Sequence, residues 1–61
     1  HAHAGMHEVF LVLSGSGRIE VDGRAHALAA GTCVAVEPGE SHEIRNTGAD
    51  ELVLAYFGVE A

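Results

Sequence analysis

Apolar runs of four to seven residues alternate along the chain with turns built from glycine, proline or acidic residues. Short runs rich in Val, Ile, Leu and Phe and bounded in this way predict strands joined by turns. EVFLVL (8–13) is apolar at odd and even positions after Glu8, the pattern of a strand covered on both faces. GRIEVDG alternates instead. Ile19 and Val21 fall on one face, Arg18, Glu20 and Asp22 on the other, so one side of this strand meets water. Asp22-Gly23 predicts a two-residue hairpin, because both central positions of a type I′ turn need positive φ. It leads into RAHAL (24–28), and AAG then turns the chain into TCVAV (32–36). EPGES is a further turn, with Pro38 and Gly39 supplying backbone angles that other residues resist. HEIRN (42–46) sets His42, Ile44 and Asn46 on one face, and ELVLAYF (51–57) follows the turn-like TGAD. No internal repeat, linker or heptad is present, and no segment reads as a helix. The fold expected is all-β, six or so short antiparallel strands in one domain (1–61) forming a small barrel or sandwich.

Size sharpens the question of what holds such a domain together. A chain of 61 residues buries only about 60% of the surface it exposes when unfolded. Domains this small commonly draw on a disulfide, a metal or a partner subunit. A disulfide within the chain is excluded, since Cys33 is the only cysteine; set in an apolar run, it is expected to be a small buried hydrophobe. Metal and oligomerisation remain.

Charge narrows the classes of partner. Nine acidic residues against three basic ones give a net charge of −6, which repels phosphate backbones and anionic lipid surfaces, so neither a nucleic-acid nor a membrane role is expected. No apolar run approaches the roughly 20 residues that cross a bilayer, and no signal peptide is recognisable. A cytoplasmic protein is the expectation. The chain begins at His1 rather than Met, which suggests a processed product or a fragment.

The candidate chemistry is concentrated in HAHAGMHE. His1 and His3 are two apart and share a face of an extended strand. Glu8 is an odd five residues beyond His3, so a continuous strand would turn it away; a bend at Gly5 resets the alternation. Glu8 then heads the face carrying Phe10 and Val12, and a carboxylate there must be solvated, paired or metal-bound. His42 begins a strand directly after a tight turn and is a fourth candidate. Three neutral imidazoles and a carboxylate suit Fe, Mn, Co, Ni, Cu or Zn as the divalent ion. In a six-coordinate ion these four leave two positions open to water or substrate. His7 is expected on the opposite face from Glu8, and His26 in solvent. Arg45 should point away from His42. Asn46 is expected to hold its turn by hydrogen bonds, and Met6, Phe10, Tyr56 and Phe57 to line the core or a pocket.

These residues, in this order, resemble the cupin superfamily of small β-barrels. Its first motif runs H-x-H, three or four residues, E, six residues, G, and His1, His3, Glu8 and Gly15 fit it. Its second begins with G, reaches a Pro and Gly turn and continues x-x-H-x-x-x-N. Gly31, Pro38, Gly39, His42 and Asn46 fit that one, except that Pro38 is adjacent to Gly39 where the family usually has it two residues before. The resemblance extends to about residue 55. It implies a cupin jelly roll in which His1, His3, Glu8 and His42 bind one divalent metal. Cupins carry one or more strands before the H-x-H; none is present here, so the resemblance implies a domain truncated at its amino end.

The function implied is a metal-dependent enzyme of dioxygenase or isomerase type acting on a small oxygen-rich substrate. The alternative is a non-catalytic module that binds or senses a small ligand. The inward faces show no second carboxylate and no lysine for acid–base work; Arg18, Arg24 and Arg45 make up the whole basic set. Val9, Leu11 and Leu13, on the second face of EVFLVL, lack partners within so short a chain. Together with the apolar last strand they suggest a homodimer, as cupins commonly form.

Overall fold

The computed structural model describes residues 5–60. Among the described residues six strands follow one another: β1 (Met6–Ser14), β2 (Ser16–Val21), β3 (Arg24–Ala29), β4 (Cys33–Val36), β5 (His42–Asn46) and β6 (Val53–Glu60). They form two three-stranded sheets, ordered β4-β1-β6 and β3-β2-β5, and every pairing within them is antiparallel. The core lies between the sheets. Phe10 and Val12 from β1 meet Ile19 from β2, Leu28 from β3 and Val36 from β4, with Val21, Val34, Ile44, Leu52 and Leu54 packed around them. Fully burying a side chain such as Ile19 contributes about 1.5–3 kcal/mol, and Ile19 and Val36 are 0% exposed.

The alternating pattern of residues 17–22 is realised as expected. Gly17 and Ile19 face inward and are buried, while Arg18 is exposed and pairs with Glu20 on the outer surface at 3.1 Å. EVFLVL differs from its expectation. Glu8, Phe10 and Val12 are buried, but Val9 and Leu11 are only half-buried and Leu13 is 55% exposed, so one face of β1 is covered and the other is not. The apolar pattern reported how hydrophobic both faces are, not how many layers cover them. Cys33 likewise corrects its expectation: it is exposed. It lies opposite Leu11 in the β1–β4 register, on the outer side of the sheet, where its apolar neighbours in sequence do not enclose it.

β1 and β6 both reach beyond their apolar runs, because they pair with each other from Met6↔Glu60 to Ser14↔Val53. Near the end of β1 the register slips between Val12 and Ser14, a bulge that bends the strand. The chain then crosses from one sheet to the other at Gly15, whose φ of 85° lies in the left-handed region. The hairpin at Asp22-Gly23 has positive φ at both positions, 47° and 82°, as a type I′ turn requires. In the turn before β5, the Glu40 amide donates to the Glu37 carbonyl at 3.1 Å, with Gly39 at φ 85°. Proline followed by a left-handed glycine is the pattern of a type II turn, and the adjacency of Pro38 and Gly39 suits it.

Candidate metal centre

β1 and β5 belong to different sheets, and the barrel interior brings one polar residue from each together. Along β1 the inward positions are even-numbered, so Glu8 points inward two residues before Phe10; its side chain is 4% exposed. Along β5 the inward positions include Ile44 and His42, and the imidazole is 9% exposed. His42 Nδ1 lies 3.4 Å from Glu8 Oε2, an ion pair when the imidazole is protonated. The Phe10 ring stands beside the histidine, with centroids 5.3 Å apart and planes tilted by 55°.

Two devices hold this pair. The first fixes where β5 begins. Asp22, the first residue of the hairpin turn, accepts hydrogen bonds through Oδ1 from the Ser41 amide at 2.9 Å and the Ser41 hydroxyl at 3.2 Å. Its own amide donates to the Ser41 carbonyl at 3.0 Å. The residue before His42 is thereby tied to the β2–β3 hairpin. At the far end of β5, the Asn46 side chain accepts from the Gly48 amide and donates to the Asp50 carbonyl, both at 2.9 Å, holding the turn as its position in HEIRN suggested.

The second device is on β6. Tyr56 lies opposite Phe10, and its hydroxyl donates to Glu8 Oε1 at 2.8 Å. Accepting that hydrogen bond, the carboxylate raises the phenol above its ordinary value of 10, and burial and the negative charge of Glu8 act in the same direction. The folded state therefore favours the protonated phenol. This stabilising contribution is present below the ordinary value and is lost as pH rises through the higher folded one. With one tyrosine and no tryptophan in the chain, the near-ultraviolet absorbance of the metal-free protein reports this group alone. Its phenolate should form at a higher pH than in the unfolded chain, and Glu8→Gln should reduce the difference. A titration coinciding with that of the unfolded chain would contradict the contact.

Of the four ligands expected from the sequence, the structure brings Glu8 and His42 together; His1 and His3 lie outside the described residues. Among the described residues no group of three or more His, Cys, Asp or Glu side chains gathers to hold a metal ion. The donor chemistry of the described pair, one carboxylate and one imidazole screened from water, fits a divalent transition ion. The other histidines behave as expected: His26 is exposed, and His7 pairs with Val59 on the face away from Glu8. Arg45 is exposed and held by Glu43 at 2.6 Å on the outer surface. A cleft of about 740 Å³ opens elsewhere, between Arg24 and His26 of β3 and Cys33 of β4, and contains neither member of the pair. Tyr56 and Asp22 were missed as site-building residues. Both contacts join positions far apart in the chain, and local patterning carries no trace of them.

Residues 1–58 match the family profile described as the cupin domain. The chain belongs to the cupin family. This cupin is 36% identical over 52 residues to a protein of Thermotoga maritima named an oxalate-binding protein, an alignment covering 85% of this chain and 43% of that one. It is also similar to the crystal structure of a predicted oxalate decarboxylase from Thermotoga maritima, with a TM-score of 0.95 and 31% identity, over 100% of this chain and 53% of that one. The chain spans about half the length of these relatives.

Proposed function

We propose that this cupin binds one divalent transition metal and, through it, a small carboxylate anion of the oxalate class. The observation supporting this reading is the Glu8–His42 pair, a carboxylate and an imidazole from opposite sheets, both screened from solvent and 3.4 Å apart. The ligands in this reading are Glu8 and His42 together with His1 and His3. The metal would supply a Lewis acid and a positive charge for the anion. That charge matters here. The protein carries a net charge of −6, Arg18, Arg24 and Arg45 are all exposed, and the Glu8 carboxylate by itself repels an approaching dianion. The names of the two Thermotoga maritima relatives support oxalate as the representative ligand.

Turnover of the bound acid is a second reading, favoured by the similarity to the predicted oxalate decarboxylase of Thermotoga maritima.

Calorimetric titration of oxalate into chelator-treated and Mn(II)-loaded protein tests the first reading. Oxalate is expected to bind the loaded protein alone, and formate, with a single carboxylate, to bind it more weakly. Equal oxalate binding to both forms would remove the metal from the proposal. Release of carbon dioxide from oxalate by the loaded protein is the test of turnover.

A further inference from the structure

The contact between Tyr56 and Glu8 follows from sheet geometry. β1 and β6 are antiparallel, with Phe10 opposite Tyr56 and Glu8 opposite Gly58. A diagonal neighbour on the same face lies about 7–8 Å away, within reach of an aromatic side chain. Gly58 has no side chain of its own, the Met6 side chain packs over it, and the tyrosine reaches the carboxylate diagonally from the neighbouring position. The Phe10 ring stands 5.0 Å from the tyrosine ring and 5.3 Å from the His42 ring, centroid to centroid. The two carboxylate oxygens thus have different neighbours. Oε1 receives the Tyr56 hydroxyl at 2.8 Å, and Oε2 faces His42 at 3.4 Å.

We propose that Tyr56 is a positioning residue that makes Glu8 give a single oxygen, Oε2, to the metal; this rests on the metal-binding reading above. A carboxylate can ligate through one oxygen or two, and a hydrogen bond to one oxygen biases it toward the first mode. The choice bears on specificity. With the three imidazoles of that reading and one carboxylate oxygen, a six-coordinate ion would keep two positions open, enough for one oxygen from each carboxylate of an oxalate-like dianion. A second oxygen from Glu8 would take one of them. Tyr56 in this way reserves room for a two-point ligand without touching it.

Tyr56→Phe removes the hydroxyl and keeps the ring that packs on Phe10, at a position 51% exposed. The readout is the infrared difference spectrum between Mn(II)-loaded and metal-free protein, in which the splitting of the symmetric and antisymmetric carboxylate stretches distinguishes one-oxygen from two-oxygen ligation. Wild type should show the wide splitting of the one-oxygen mode, and Tyr56→Phe a narrowed one; the metal-free variant should melt somewhat lower than wild type, because the buried Glu8 oxygen loses its donor, but should remain folded. The variant should also bind Mn(II) about 10-fold more weakly, as loss of a group supporting a ligand typically does. The same wide splitting in both proteins would overturn the role of Tyr56 and leave the metal reading standing. Failure of wild type to take up Mn(II) would overturn both.

Discussion

Glu8→Gln is expected to abolish metal binding while leaving the metal-free protein at least as stable as the parent. The two halves of this result have one cause. Glu8 is a carboxylate 4% exposed, set between Phe10, Tyr56 and His42. Withdrawing an ionised group from water costs several kcal/mol unless hydrogen bonds and an opposite charge offset it. A neutral amide of the same shape avoids that cost, still accepts from Tyr56 and can donate toward His42. As a metal ligand, however, the amide is much poorer than a carboxylate. Affinity for Mn(II) should fall by at least about 100-fold, the upper end of what loss of a mere supporting group costs. His42→Ala should lose metal to the same degree but should also destabilise, because it leaves the buried carboxylate without its imidazole neighbour. Metal content by elemental analysis and thermal melts of the chelator-treated proteins measure both effects. Undiminished metal in both variants would eliminate the site. A large drop in the stability of metal-free Glu8→Gln would show that Glu8 serves the fold instead.

Gly15→Ala should be the most damaging small substitution in the fold, with Gly31→Ala as its control. Both glycines have left-handed φ, 85° and 91°, so an alanine at either incurs about 1–2 kcal/mol of backbone strain. They differ in surroundings. A Cβ at Gly31 meets nothing within 4 Å, whereas one at Gly15 would lie 2.9 Å from the Leu52 Cα and strike the Glu51 carbonyl oxygen, both backbone atoms that cannot rotate away. Gly15 is where the chain passes from one sheet to the other, and relieving the clash means parting β1 from the start of β6. A total of about 3–5 kcal/mol is expected at Gly15, in the range reserved for specific steric or buried-charge defects. Chemical denaturation of the two variants checks this. Equal losses at Gly15 and Gly31 would show that the close approach at the corner plays no part.

Much of this architecture was legible in the chain. Asp22-Gly23 announced its turn because few residues other than glycine, asparagine and aspartate tolerate positive φ. Ile19 and Val21 announced the inner face of β2 by simple alternation, and the two histidine motifs announced the family. Errors arose where burial depends on what lies beyond the strand. Cys33 sits in an apolar run and is nevertheless exposed, and the outer face of β1 is as hydrophobic as a buried one while Leu13 stands in the open. A local pattern records which residues share a face; it contains no information about whether another layer covers that face.

The site divides along the same line. The sequence by itself determined the all-β fold, the hairpin turn, the inward placement of Glu8 and His42 on their own strands, and the donor chemistry they offer, because each follows from residue type and from the two-residue period of a strand. Only the tertiary structure decided that these two meet across the sheets at 3.4 Å, that Asp22 ties down the start of β5, and that Tyr56 claims one oxygen of Glu8. Those contacts join positions 34, 19 and 48 residues apart. They depend on strand register and sheet packing, which are set by the whole core at once and not by any segment read alone.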